Sequence, residues 1–559
     1  MHPILHVVVV GFHHKRGAQI DYCYPPLKGE GDDGIPQAWA GLPTLALPDG
    51  AHHVEDDVIF FLLPALDDPN RSVFGISCYR QIASEDLISK GTDVTRSSVQ
   101  KSVCVLSTVP LFGVVKAKLE LITQAYFNER DFTKVEVLSQ MYSNLCDMFN
   151  YEQLDSASAY MDIPVTSLLK TFKHRTLVLF KLLMLEKKVV FNIFPVRRLG
   201  EIMIGLCSLF PGLVEDGLFE AANYTAKPIA TPAPSEADTS SESQSVKGGD
   251  GGAEDVFVKK ETAPSEVSLM NRLTDLIGSG ALRQRKELVC EAREGLIAPT
   301  GIATDSYGLP LHLFTKGSLF HPYLSISYLD MIRADSTRAY CIGATNALFK
   351  QRRDQIDVIV TLDETGEGIV DIINPDLKRQ LTLTAADLRF TDFLIKMVET
   401  RADPAAFDGG DDWIRHQFQA YLLSLLASVR GDMVNTLGDY GDLFVDAWRG
   451  KHNFRIWTCG DHPDISSAVP GHPFAGQLGM NDVFLRMEHT IGGSEHGRKI
   501  ASTIFDGEVH DGHRKQSEVE HFVVVSRSDE RKQRRIRRGT KAPRAAVKCA
   551  MLRVYYIVN

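Results

Sequence analysis

The longest strongly apolar passage of the chain covers residues 175–213, RTLVLFKLLMLEKKVVFNIFPVRRLGEIMIGLCSLFPGL, and its pattern changes period within it. Up to Glu186 the apolar positions recur at helical spacing; Lys187 and Lys188 interrupt, and Val189 to Phe194 is a β-branched and aromatic run. A second helical pattern starts after Pro195. The passage therefore reads helix, strand, helix. Its strand is apolar on both faces, which suits the interior of a covered sheet in an α/β layer domain.

Upstream, five strand-like runs precede residue 109: LHVVVVGF, AQIDYCYP, VIFFLLP, SVFGISCY and KSVCVLST. HHKRG joins the first two as a hairpin and DDPN joins the third and fourth, while the long connection between them holds a short helical candidate at residues 36–40. Helices follow. In LFGVVKAKLELITQAYF, Val115, Leu119, Ile122 and Tyr126 mark one face, and FTKVEVLSQMYSNLCDMF continues the helical pattern. A five-stranded, mostly antiparallel sheet packed on helices is expected from this order.

Composition breaks at residues 221–266, which are rich in Pro, Ser, Thr, Gly and Glu and poor in large apolar residues. Such a stretch buries too little surface to offset chain entropy, so a disordered insertion is expected. Order resumes with helix-like SEVSLMNRLTDLIGS and the strand-like runs LPLHLF, YLSISY, AYCIGAT and DVIVTL. A hairpin turns at DETGEG, where Gly366 and Gly368 can take positive φ. Asp387 is expected to open one helix and Asp412 to cap the next, which carries Ile414, Phe418, Tyr421, Leu425 and Val429 on one stripe. A helix in YGDLFVDAWRG then precedes a loop-rich run to about residue 485.

Composition narrows the classes of function. The formal charge is -10 and the sequence pI about 6.0, so no polyanionic partner is called for and nucleic acid is not expected. Nine scattered cysteines without a C-x-x-C pair read as core residues of a reducing compartment. The first residues, MHPILHVVVVGFHHKR, read as a strand rather than a signal peptide. Charges at Lys181, Glu186, Lys187, Lys188, Arg197, Arg198 and Glu201 deny residues 175–213 an uninterrupted window of about 18 apolar residues, favouring a core over a membrane span. A local basic block, RKQRRIRRGTKAPR, offers Arg531, Lys532, Arg534, Arg535, Arg537 and Arg538 as an anionic-lipid patch in an otherwise acidic chain.

Covalent chemistry has no recognisable machinery. P-loop, H-E-x-x-H, paired C-x-x-C, EF-hand, G-x-S-x-G and kinase signatures are all missing from the sequence. His13-His14, His52-His53 and His510 with His513 lack Cys or carboxylate partners at ligand spacing, so they read as surface residues and no metal or cofactor is expected. Asp56-Asp57 and Asp411-Asp412 read as solvating or capping groups rather than an acid/base dyad. In CIGATNALFK a buried strand ends at Gly343, and Thr345 and Asn346 can close a turn that releases Phe349.

The order of modules resembles DENN-domain proteins. HVVVVGFHHKRGAQIDYCYPPL, VIFFLLP, SVFGISCYRQI and KSVCVLSTVPLFGVVKAKLE resemble the longin-like upstream module of that family. Residues 175–213, HLFTKGSLFHPYLSISYLDMI and YCIGATNALFKQRRDQIDVIV resemble its central α/β module. WIRHQFQAYLLSLLASV and GHPFAGQLGMNDVFLRMEHT resemble its downstream helical part. The branch resembled is that of the late secretory pathway, the Avl-nine type, up to about residue 491.

The resemblance implies an α/β fold, α+β overall, with a longin-like module at 1–125, the central module at 126–220 and 267–403, and a helical part at 404–491. Composition adds the disordered insertion at 221–266 and a basic, disordered tail at 492–559, which does not resemble the family. The resemblance also implies a cytoplasmic protein, peripheral to Golgi-derived, exocytic or recycling endosomal membranes, that promotes guanine-nucleotide exchange on a Rab-type small GTPase. Such a factor needs no catalytic triad. Gly343, Thr345, Asn346 and Phe349 are the partner-contact candidates. The alternative is a trafficking scaffold that binds GTPases or coat components without exchange. An unrecognised hydrolase or transferase would need a nucleophile-base spacing that the sequence does not offer.

Overall fold

All five apolar runs before residue 109 form strands: β1 (Ile4–His13), β2 (Gly17–Tyr24), β3 (Asp56–Pro64), β4 (Ser72–Ala83) and β5 (Ser98–Ser107). They pair antiparallel in the order β2-β1-β5-β4-β3. This is a computed structural model, and it describes residues 2–29, 34–89, 96–151, 159, 161–222, 304–403, 406–431 and 434–476. The insertion at 221–266, apart from its first two residues, lies outside the described residues, as do the SEVSLMNRLTDLIGS helix and everything after Gly476.

In β3 every residue from Asp57 to Leu63 is buried, because this edge strand is covered on both faces. α1 (Leu42–Ala46) lies against the first sheet, and α2 (Phe112–Asn128) packs on β4 and β5. Val115, Leu119 and Tyr126 of the expected α2 face are buried, as are Phe112, Thr123 and Phe127. α3 (Glu136–Met148) and α4 (Val165–Phe172) follow.

Residues 175–213 fold as their period dictates: α5 (Arg175–Met184), β6 (Lys188–Asn192) and α6 (Val196–Cys207). β6 is the central strand of a second sheet, with β7 (Ser318–His321), β8 (Ala339–Ala344), β9 (Val358–Leu362) and β10 (Gly368–Ile372) in the order β10-β9-β6-β8-β7. β7, β8, β6 and β9 run parallel, and β10 returns antiparallel through the DETGEG turn. Gly366 has φ +84°, as that turn requires, whereas Gly368 is needed for a different reason: a Cβ there would lie 2.2 Å from the Phe172 ring. One hydrophobic core runs through both sheets and the helices between them, and a smaller one lies on the other face of the second sheet.

The structure corrects several expectations. LPLHLF is irregular although Leu309, Leu311, Leu313 and Phe314 are buried; Pro310 brings no N–H to a ladder. YLSISY is not a strand either, since the sheet is satisfied by the preceding SLFH, and Ser325 then caps a 3₁₀ segment, Ile326–Arg333. The helix expected to open at Asp387 starts at Ala385, with Thr384 as N-cap and Asp387 closing a capping box from its third position. The next helix, Asp411–Arg430, has Gly410 as N-cap; Asp412 instead pairs with Arg415. Its stripe of Ile414, Phe418, Tyr421 and Leu425 is fully buried.

Beyond Asp442–Arg449, the run expected to be loop-rich contains a further helix, His452–Cys459. Its first turn is held from far away: Glu186 accepts hydrogen bonds from the N–H groups of His452 (3.2 Å) and Asn453 (2.8 Å) and pairs with Arg338.

Candidate functional site

Four parallel strands point their carboxyl ends the same way. From β6 the chain crosses to β7 at the far edge, returns through β8 beside β6, and then places β9 on the other flank of β6. The strand order therefore reverses at β6, which is where open α/β sheets leave a crevice. A groove of about 430 Å³ opens there, lined by Asn192, Ile193, Phe194, Arg198, Leu362, Asp363, Glu364, Thr365 and Gly366.

Its walls are fixed by side-chain hydrogen bonds in addition to the loops' own backbone bonds. Asn192, the last residue of β6, donates its amide to the carbonyls of Ala344 and Asn346, both at 3.1 Å, pinning the loop after β8. Arg198, on the first turn of α6, donates to the Gly366 carbonyl at 2.9 Å and to the Thr171 hydroxyl at 3.3 Å. Asp363 accepts from the Thr365 hydroxyl (2.7 Å) and from the N–H groups of Glu367 (2.8 Å) and Thr365 (2.9 Å), and these bonds, the hydroxyl's first, hold its carboxyl below the ordinary carboxylate value. Phe194 stands on the rim with 44% of its surface exposed, edge-on to His53 at 6.5 Å.

The groove borders the seam between the two sheets. Buried Asp57, from β3, caps α6: its carboxylate accepts from the N–H groups of Val196 (2.9 Å) and Arg197 (2.7 Å) as well as Val58 (2.8 Å). Burial pushes this carboxyl up, and the three N–H groups with the Arg197 charge pull it back. Arg197 pairs in turn with Glu120 and Asp56, so strand, helix and helix are fastened at one point. Substituting Asp57 by alanine leaves the α6 N–H groups without partners and is expected to cost about 2–3 kcal/mol. Chemical denaturation of the variant measures this.

Of the residues singled out in the sequence, Gly343 is buried in β8, where a Cβ would lie 2.0 Å from the Pro322 carbonyl oxygen. Phe349 is fully buried in the smaller core. Both support the loop from beneath and present no surface. Thr345 donates its hydroxyl to the Asp49 carbonyl at 3.0 Å, across the seam. Asn346 closes the expected turn, accepting from the Leu348 N–H at 3.0 Å, and Leu348 rather than Phe349 is left 44% exposed. The basic residues Arg531 to Arg538 lie outside the described residues.

Asp57 does cap a helix, one of the roles expected for the Asp56-Asp57 pair, but which helix it caps, and what Arg198 bonds to, were not legible because those partners are distant in sequence. His13 serves its own turn, accepting from the N–H groups of Lys15 and Arg16. Among the described residues no group of three or more His, Cys, Asp or Glu side chains could hold a metal ion, and no helix is long and apolar enough to cross a membrane.

A family model described as transport protein Avl9 matches residues 4–429, which include both sheets, the seam and the groove. The chain belongs to the Avl9 family. The late secretory pathway protein avl9 of Schizosaccharomyces pombe is 29% identical over 491 residues, covering 84% of this chain and 90% of that protein. The late secretory pathway protein AVL9 of Saccharomyces cerevisiae is 29% identical over 470 residues, covering 79% of this chain and 52% of that protein, so the chain spans about half the length of this second Avl9 relative. The Avl9 match ends within the Asp411–Arg430 helix, one residue short of its end.

Proposed function

We propose that this chain is a DENN-type regulator of vesicle traffic in the late secretory pathway, and that it binds a Rab-type small GTPase and promotes GDP release. The observation that carries this reading is the polar groove with exposed Phe194, at the carboxyl ends of the second sheet's strands beside its seam with the first, and inside the span matched by the Avl9 family. The names of the two relatives support the pathway.

An exchange factor forms no covalent bond. It accelerates release only by binding the nucleotide-free GTPase more tightly than the nucleotide-bound form, because a partner with equal affinity for two states shifts neither. In this account Phe194 and Leu348 are the apolar anchors, and the Asn192-pinned and Arg198-pinned loops keep the groove from collapsing around them. The protein acts in the cytoplasm and meets Golgi-derived, exocytic or recycling endosomal membranes peripherally, with Arg531 to Arg538 as a patch for anionic lipid.

Affinities for nucleotide-free and GDP-loaded Rab-type GTPases, measured side by side, test the reading. Exchange requires the nucleotide-free form to bind at least about tenfold tighter, equivalent to about 1.4 kcal/mol. Equal affinities would support the non-catalytic scaffold instead.

A further inference from the structure

His321, at the end of β7, is fully buried with no hydrogen-bond partner for either ring nitrogen among the described residues. Strand alternation places it on the face that carries Leu319 and, through the β7–β8 register, Ile342. That face belongs to the smaller core, which also takes in Leu324, Met331, Ile332 and Phe349. A neutral imidazole is hydrogen-bonded in water, so enclosing it unpaired opposes closure of whatever covers it. The same enclosure lowers its pKa to about 4.

The segment that brings Met331 and Ile332 to this core is itself unusual. Ile326–Arg333 is an eight-residue 3₁₀ segment, although such helices rarely exceed about four residues because their hydrogen bonds are poorly aligned. This segment also makes the contacts that bind the second sheet to the connection before β3. The Tyr323 hydroxyl accepts from the Asp49 N–H at 2.7 Å, the Ile326 N–H donates to the Asp49 carboxylate at 3.1 Å, and the Ser327 and Thr44 hydroxyls meet at 3.1 Å. Tyr328 fills the space left by Gly41, where a Cβ would fall 2.0 Å from its hydroxyl oxygen.

We infer that residues 323–333 form a clamp poised to open: closed, it fastens the two sheets across Asp49; open, it hydrates His321 and frees that side of the seam. Because Thr345 also bonds to Asp49, the opening reaches the loop pinned by Asn192 at the groove. The clamp depends on nothing in the proposed GTPase reading.

Hydrogen exchange on the full-length chain, resolved to single amides, tests it. In the wild type, the amides of Tyr328 and Asp49 exchange together through one local opening, faster than those of β8. H321L and H321M, both apolar and close in volume to histidine, relieve the unpaired nitrogens only in the closed form. They are expected to slow exchange at Tyr328 and Asp49 roughly tenfold or more while leaving β8 unchanged. Unchanged or faster exchange at those two amides in both variants overturns the inference, as does wild-type exchange at the β8 rate.

Discussion

Replacing Asp387 by alanine is expected to lower folding stability by about 3–5 kcal/mol, the cost of stranding a buried charge. Asp387 and Lys181 are both fully buried and form an ion pair, and Lys181 also donates to the Tyr440 carbonyl at 2.7 Å. The same carboxylate accepts from the Tyr421 hydroxyl at 2.9 Å and from His472 at 3.3 Å, and closes the capping box with the Thr384 N–H at 3.0 Å. Its removal leaves the Lys181 ammonium enclosed among Phe444 and Tyr440. Burial opposes the charge on Asp387, but Lys181 and His472 outweigh it and hold the carboxyl down at about 2.

The sign of the pH dependence follows from that depressed value. Asp387 contributes fully above its ordinary value of 3.8, and the contribution is lost as pH falls towards about 2. D387A should therefore show a flatter acid limb than the wild type in denaturation followed from neutral pH downwards. A loss below about 1 kcal/mol would mean that the network is loosely held.

Truncating Phe194 to alanine carries the second large effect, on binding rather than folding. With 44% of its surface already in water, the ring contributes little to the core, so the melting temperature should barely move. On the proposed reading, binding of a Rab-type GTPase should weaken by about 2 kcal/mol, roughly 30-fold, as for a central aromatic anchor. Retention of wild-type affinity in titration calorimetry would move the interface away from the groove.

Much of the fold was legible because its signals are local. The alternating and β-branched runs of the first sheet, and the change of period within residues 175–213, each report on neighbours a few positions away. What escaped is what the chain arranges over distance. The His452–Cys459 helix has no side-chain cap of its own, and its first N–H groups are satisfied by Glu186, more than 260 positions earlier. α6 likewise borrows Asp57, about 140 positions upstream. In 309–314 the alternation of Leu309, Leu311 and Leu313 was real, since those side chains are buried, but burial without a neighbouring ladder does not make a strand.

The candidate site shows the same division. CIGATNALFK announced a strand ending in a turn, and that turn forms. Which of its residues face solvent was decided by the smaller core, which takes Phe349 and leaves Leu348 outside. Phe194 sat inside an apolar run and carried no mark of exposure. It is displayed because the strand ends at Asn192 and Pro195 is the N-cap of α6, leaving the ring beyond both.

Release of fluorescent GDP from a comprehensive panel of active Rab-type GTPases, with the full-length chain added in excess, tests the central claim most directly. Acceleration of release from at least one member, diminished by F194A, is the result expected. No acceleration from any member of the panel would contradict it.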